Sequence, residues 1–128
     1  RDNEFFRRIE QHLEDANRRG LNMLVSVVKA PPWARSVQAE DGPPDDPQAL
    51  ANFITVIFEE FNAGLNRELV GDYIDAIEIW NEPNLQREWG RPITRDSAKE
   101  YVAPLRAAAI RHPTSALSAA GYGGDEVA

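Results

Sequence analysis

The sequence predicts an α/β fold in which parallel strands alternate with helices. Two short apolar runs rich in β-branched residues, 23–28 and 74–80, each stand between longer segments whose apolar residues recur every three or four positions. A weaker strand is predicted after the last helix. This alternation favours parallel strands joined by right-handed crossovers. A doubly wound sheet and a (β/α)8 barrel both satisfy the pattern.

Composition places the chain among ordinary globular domains. It has 128 residues, 14 Lys plus Arg against 21 Asp plus Glu, a formal net charge of −7, and no Cys, which excludes a disulfide-stapled scaffold. The basic residues are scattered among carboxylates, so no nucleic-acid surface is expected. No apolar run is long enough to span a membrane, and no signal peptide opens the sequence, which leaves the localisation unknown.

The first part of the chain is predicted to form a helix (1–20), a strand (21–29) and a long loop (30–46). The helix presents one apolar face, and Gly20 stands where a C-cap belongs. The strand is nearly continuous in apolar residues, which is typical of a parallel strand covered on both faces. The loop is rich in proline and acidic residues. Because long loops in compact domains usually carry function, it is a candidate active-site loop.

The second part is predicted to form a helix (47–64), a strand (74–82), a helix (94–112) and a weak strand (114–120). Asp46 is a plausible N-cap with Pro47 at the first helical position, and Gly64 is expected to end that helix. Thr94 is expected to cap the next helix, which Pro104 should break or kink. The Gly-rich end is expected to be loose.

Glu82 is the first candidate for chemistry. It lies at the C-terminal end of its predicted strand, where parallel α/β folds place their sites, and Pro83 biases it toward extended backbone. Asn81 offers an amide donor and a carbonyl acceptor, which suits a ligand rich in hydroxyls. By itself, an Asn-Glu-Pro tripeptide is most often only a turn. No Gly-rich phosphate loop follows either strand.

The stretch Ile77-Glu78-Ile79-Trp80-Asn81-Glu82-Pro83-Asn84 resembles the fourth strand of clan A glycoside hydrolases, a family of (β/α)8 TIM barrels that cleave glycosidic bonds. The segment 20–28 followed by Pro32-Trp33 is similar to the third strand and its loop. The resemblance implies that Glu82 is the general acid/base of a retaining mechanism. It also implies that Asn81 contacts the sugar 2-hydroxyl of an oligo- or polysaccharide substrate.

The chain departs from that family in its extent. A complete barrel needs about 250 residues, so the expectation is a single incomplete TIM-barrel segment, 1–128, of about half a barrel. The nucleophile of the family, a second Glu near the end of the seventh strand, has no counterpart in this sequence. The isolated chain is therefore expected to be nearly inactive. Half a barrel should also expose open sheet edges through which the chain self-associates.

Other candidate residues are weighed against structural roles. Trp33 and Trp89 follow the two strands and are expected at the same mouth, where indole rings stack on sugars. Trp80 is expected in the core. Glu78 lies on the same strand face as Glu82 at about 13 Å, too far for a catalytic pair, and should be a hydrogen-bonded interior carboxylate. Glu88 is a solvated loop acid with little catalytic claim.

No cofactor or metal is expected, since His12 and His112 are isolated from each other and from any Cys. Two alternatives to the glycosidase remain. One is a non-catalytic carbohydrate-binding or assembly fragment that keeps the mouth residues but lacks the nucleophile. The other is a doubly wound domain in which Asn-Glu-Pro is a plain turn. Flanking coding sequence with a later strand ending in Glu would favour the enzyme.

Overall fold

The computed structural model describes residues 3–38, 41–62, 72–111 and 117–119. In these described ranges, four helices, one short 3-10 helix and three strands follow one another: α1 (Glu4–Arg18), β1 (Leu24–Val27), the 3-10 helix (Pro32–Ala34), α2 (Pro47–Phe61), β2 (Ala76–Ile79), α3 (Gln86–Trp89), α4 (Ser97–Arg111) and β3 (Leu117–Ala119). The predicted alternation of helices and strands is confirmed.

The three strands form one parallel sheet in the order β1-β2-β3. Leu24 pairs with Ala76 and Val27 with Ile79, and α2 crosses over between the two strands. The weak C-terminal strand is confirmed as β3, which pairs with β2 from Ile77 to Ile79. Within the described residues β1 and β3 each pair on one side only, so the expected open edges are present.

The helices and one face of the sheet share a single core. Val27, Ile77 and Ile79 point into it from the strands, while α2 and α4 contribute the largest helical share. The opposite sheet face carries Leu24, which is 55% exposed, and the exposed Ser26. The prediction that β1 is covered on both faces is therefore wrong for the described residues.

Local chemistry sets the helix boundaries. Side-chain oxygens of Asn3 and Asp46 accept the backbone N–H groups of Phe5 and Gln48, and these caps start α1 and α2. At the end of α1 the chain turns at Gly20 with φ 69°, a conformation that glycine adopts without steric cost. The prediction that Gly20 ends this helix is confirmed, but the C-cap residue itself is Arg19, and Gly20 follows it. Helix α2 ends at Phe61, and Gly64 lies outside the described residues, as do His112 and the Gly-rich end.

Pro104 does not end a helix. Of the expected break or kink, the break is wrong, because α4 continues through Pro104 from Ser97 to Arg111. A proline inside a helix loses its own backbone hydrogen bond, and its ring crowds the carbonyl four residues earlier. Pro104 is buried, and the neighbouring Tyr101, Leu105 and Ala108 belong to the core, whose packing offsets that loss. Thr94 lies before α4 and accepts the N–H of Asp96, while Ser97 Oγ accepts the N–H of Thr94.

Removal of the α2 cap is expected to destabilise the whole domain, because α2 supplies much of the core. Asp46→Ala should lower the free energy of unfolding by about 0.5–2 kcal/mol, and Asp46→Asn, which keeps an acceptor oxygen, should leave it nearly unchanged. Urea denaturation of both variants measures the difference. Equal stability of the Ala and Asn variants would contradict the capping role.

Candidate functional site

The carboxyl ends of β1 and β2 carry the polar and aromatic residues singled out from the sequence. Asn81 and Glu82 follow β2, and Trp33 lies on the 3-10 helix that follows β1. The two strands are parallel neighbours, so their ends meet at one edge of the sheet. This is the edge at which α/β folds place ligand sites.

Glu82 does not have the extended backbone expected from Pro83. Its φ is 42°, in the left-handed region that non-glycine residues rarely adopt. Its carbonyl accepts the N–H of Leu85 at 2.9 Å, and Pro83 is buried beneath this turn. The turn and the buried ring therefore set the backbone of Glu82, and the expectation of extended geometry is wrong. Such strain costs on the order of 1–3 kcal/mol and is concentrated at functional sites.

The carboxylate of Glu82 faces a cation that sequence reasoning missed. Arg87 Nη2 lies 3.6 Å from Glu82 Oε2, and Arg87 Nε lies 3.2 Å from Glu88 Oε1. The Glu82 side chain remains 51% exposed, so it is paired and yet open to a ligand. The only sequence signal was a cation five residues after Glu82, a spacing that alone predicts no contact.

Asn81 is exposed beside Glu82. Within the described part of the chain its amide makes no side-chain hydrogen bond, so both its donor and its acceptor face solvent. The two adjacent residues thus present an amide and a carboxylate together.

Trp89 does not lie at the mouth. It is 1% exposed, and its ring packs edge-on against Trp80 at 5.8 Å and Tyr101 at 5.9 Å between ring centroids. The expectation that Trp89 stacks on a sugar is wrong, because the short helix α3, absent from the sequence predictions, turns its indole into the core. Trp80 is 2% exposed, as expected of a core residue.

These three aromatic residues form an aromatic stack that is bonded to the segment around Glu82. Trp80 Nε1 donates to the carbonyl of Glu88 at 2.8 Å, and the Tyr101 hydroxyl donates to the carbonyl of Ile79 at 2.7 Å. Trp89 Nε1 donates to Glu100 Oε2 at 3.2 Å. The aromatic stack therefore fixes both the end of β2 and the turn that carries Arg87.

Trp33 is placed as the sequence predicted. It is 86% exposed on the loop after β1, so its indole face is free to contact a ligand. The short 3-10 helix that carries it begins with proline, which presets the backbone for the first turn.

Glu78 has a structural partner. Its Oε2 accepts the hydroxyl of Ser26, the register partner on β1, at 2.5 Å. The expectation that the Glu78 carboxylate is hydrogen-bonded is thus confirmed. Glu78 and Glu82 do not lie on one continuous strand, because β2 ends at Ile79. The value of about 13 Å, from the rise of extended chain, is therefore an upper bound.

Neither a metal centre nor a membrane-spanning helix is found within the ranges that the structure describes. No three His, Cys, Asp or Glu side chains there could hold an ion, and no helix is long and apolar enough to cross a bilayer. In comparisons with protein-family models, curated proteins and solved structures, nothing matches the chain.

The hydrogen bond from Tyr101 to Ile79 should contribute measurably to stability. Tyr101→Phe removes the donor from a buried carbonyl and should lower the free energy of unfolding by about 1–3 kcal/mol. Tyr73→Phe is the matched control, because its hydroxyl has no hydrogen bond among the described residues; its change should stay within about 0.5 kcal/mol. Equal effects of both variants in urea denaturation would refute the role of this bond.

Proposed function

We propose that this chain carries the general acid/base of a retaining glycoside hydrolase that acts on O-glycosidic bonds of oligo- or polysaccharides. Glu82 is the acid/base, and Asn81 contacts the sugar hydroxyl. The observation that carries the proposal is a half-exposed carboxylate at the carboxyl end of the central strand, on strained backbone and beside an amide. Trp33 supplies an exposed ring for the same substrate.

In the proposed reaction, Glu82 first gives its proton to the glycosidic oxygen as the bond to the sugar breaks. A second carboxylate, supplied by another part of the complete barrel, takes the sugar as a covalent ester. Glu82, now ionised, then removes a proton from water as the water oxygen displaces that ester. The two steps release both halves of the substrate and return Glu82 to its protonated form.

The layering of the fold supports the incomplete-barrel form of this proposal. The strands follow one another in chain order, and the described helices share one core with a single sheet face. A complete doubly wound sheet has helices on both faces and a reversal of strand order, and the described residues show neither, although one βαβαβ half of such a sheet would match them as well. A (β/α)8 barrel has helices outside only, so the open face with Ser26 and Glu78 corresponds to its interior.

In this proposal, Arg87 is a positioning residue. Its contacts with Glu82 and Glu88 tie the acid/base to the turn that the aromatic stack anchors. Because Arg87 is 74% exposed, its ion pairs add little to stability. Its role is to restrict the orientations that the Glu82 carboxylate samples.

Glu82→Gln tests the proposal in a form of the protein that also contains the nucleophile. Hydrolysis of natural glycosides should fall by about 10²- to 10⁴-fold, since no group protonates the leaving oxygen. The first step with an activated aryl glycoside should be largely spared, because its leaving group needs little protonation. Added azide should then restore turnover by attacking the ester without a general base.

Glu78→Gln and Glu88→Gln are the matched controls, since both replace an acid on or near the same strand end. Neither should produce azide-dependent turnover. Unchanged hydrolysis of natural glycosides by Glu82→Gln would show that Asn-Glu-Pro is only a structural turn.

A second candidate function is a non-catalytic carbohydrate-binding or assembly fragment. One observation favours it: the exposed Leu24 lies on a strand with an unpaired edge among the described residues. Exposed apolar strand edges pair with other chains. Two copies joined through β1 would cover this apolar side chain.

Sedimentation velocity over a range of concentrations tests the assembly. The wild-type chain should form dimers or larger species, and Leu24→Lys should shift the distribution toward monomer, because a lysine at the strand edge opposes pairing. Val102→Lys is the control, since Val102 is 43% exposed on α4, away from the sheet. A compact wild-type monomer at every concentration would contradict self-association.

A further inference from the structure

A small cavity lies between the carboxyl ends of the strands, the loop after β1 and the first turns of α2. Its volume is about 260 Å³. The strand ends contribute Val28 and Trp80, the loop contributes Trp33 and Pro44, and α2 contributes Leu50 and Phe53. Phe53 lies on α2 and is 46% exposed at this cavity.

The described lining of the cavity is apolar apart from Lys29. Lys29 is its one charged residue among those described, and its ammonium lies 2.9 Å from Asp41 Oδ1. An anionic ligand would have to compete with Asp41 for this cation. The cavity therefore favours an uncharged ligand.

Backbone strain is concentrated at this cavity. Three non-glycine residues of the described chain have positive φ: Lys29 at 62°, Trp80 at 69° and Glu82 at 42°. Two of them, Lys29 and Trp80, line the cavity. Residues in such conformations persist where the surrounding structure holds them, and they cluster at ligand sites.

The wall formed by the loop is held in place before any ligand binds. The N–H of Ala30 donates to the carbonyl of Gly42 at 3.2 Å, and the N–H of Asp45 donates to the carbonyl of Ala34 at 3.0 Å. The Asp45 carboxylate also accepts the N–H of Ser36 at 2.7 Å. A preformed wall reduces the entropy lost on binding.

The size of the cavity selects the ligand. An apolar cavity of about 150 Å³ holds one benzene, so this one has room for one ring system with a small substituent. Trp33 is at its exposed rim and Phe53 lies on its wall. We infer that this cavity is a binding site for a single uncharged aromatic ring system, held between the strand ends, Trp33 and Phe53.

The site adjoins Glu82 along the chain, since Trp80 lines the cavity and precedes Glu82 by two residues. Binding of a ring there does not require that Glu82 be catalytic. Ligand binding in this cavity and the proposed glycosidase activity can therefore be tested independently.

Indole is the probe, and benzoate is the charged comparison. Amide chemical shifts of the isotope-labelled 128-residue chain are followed by NMR during titration with each compound. Indole should bind saturably at one site, with shifts confined to residues around Lys29, Trp33, Phe53 and Trp80, and it should bind more tightly than benzoate. Dispersed or non-saturable shifts, or equal affinity for benzoate, would overturn the inference.

Phe53→Ala should weaken indole binding about 3- to 10-fold, the range expected for the loss of one aromatic contact. Val56→Ala is the matched control on the same helix, since Val56 is 42% exposed and does not line the cavity. Ala49→Phe, which fills the cavity from α2, should abolish binding. Glu82→Gln should leave binding unchanged, which separates this site from the proposed activity. Equal weakening by Phe53→Ala and Val56→Ala would refute the assigned location.

Discussion

The hydrogen bond from the buried Tyr101 hydroxyl to the carbonyl of Ile79 joins α4 to the last residue of the central strand. Tyr101 also packs against Trp89, which packs against Trp80. These contacting rings connect α4, the end of β2 and the turn that follows it. The left-handed backbone at Trp80 is tolerated because the neighbouring rings fill the space around its indole. The position of Glu82 therefore depends on buried residues of two other elements, Trp89 of α3 and Tyr101 of α4.

Two carboxylates and one guanidinium lie close together after the end of β2. Glu82 and Glu88 are like charges on one short turn, and Arg87 lies between them. Without the guanidinium the two carboxylates would repel each other. With it, Glu88 takes the shorter contact and becomes the more buried of the two, which leaves Glu82 open to solvent. At 3.6 Å against 3.2 Å, the contact of Arg87 with Glu82 is the longer of its two carboxylate contacts.

Periodicity and capping chemistry predicted most of the fold, because they act within a few residues. The apolar stripe of α2, its Asp46 cap and the parallel pairing of β1 with β2 all follow from the sequence. Two of the failures, at Trp89 and Pro104, involve contacts between residues distant in the sequence. The burial of Trp89 depends on Tyr101, the continuity of α4 through Pro104 depends on core packing, and the left-handed Glu82 depends on its local turn. Glu82 and Asn81 could be located from the sequence, but the chemistry proposed for them comes from a resemblance and not from periodicity.

The parallel pairing of β1 with β2 also constrains how the chain folds. Ser26 and Glu78 are separated by 52 residues, and the strands cannot meet until the intervening chain has closed. Each doubling of a closed loop costs only about 0.6 kcal/mol, so this separation slows folding more than it lowers stability. Capped α1 and α2 can form from local contacts before the strands pair. We therefore expect the sheet, and with it the edge that is followed by Glu82, to form late in folding.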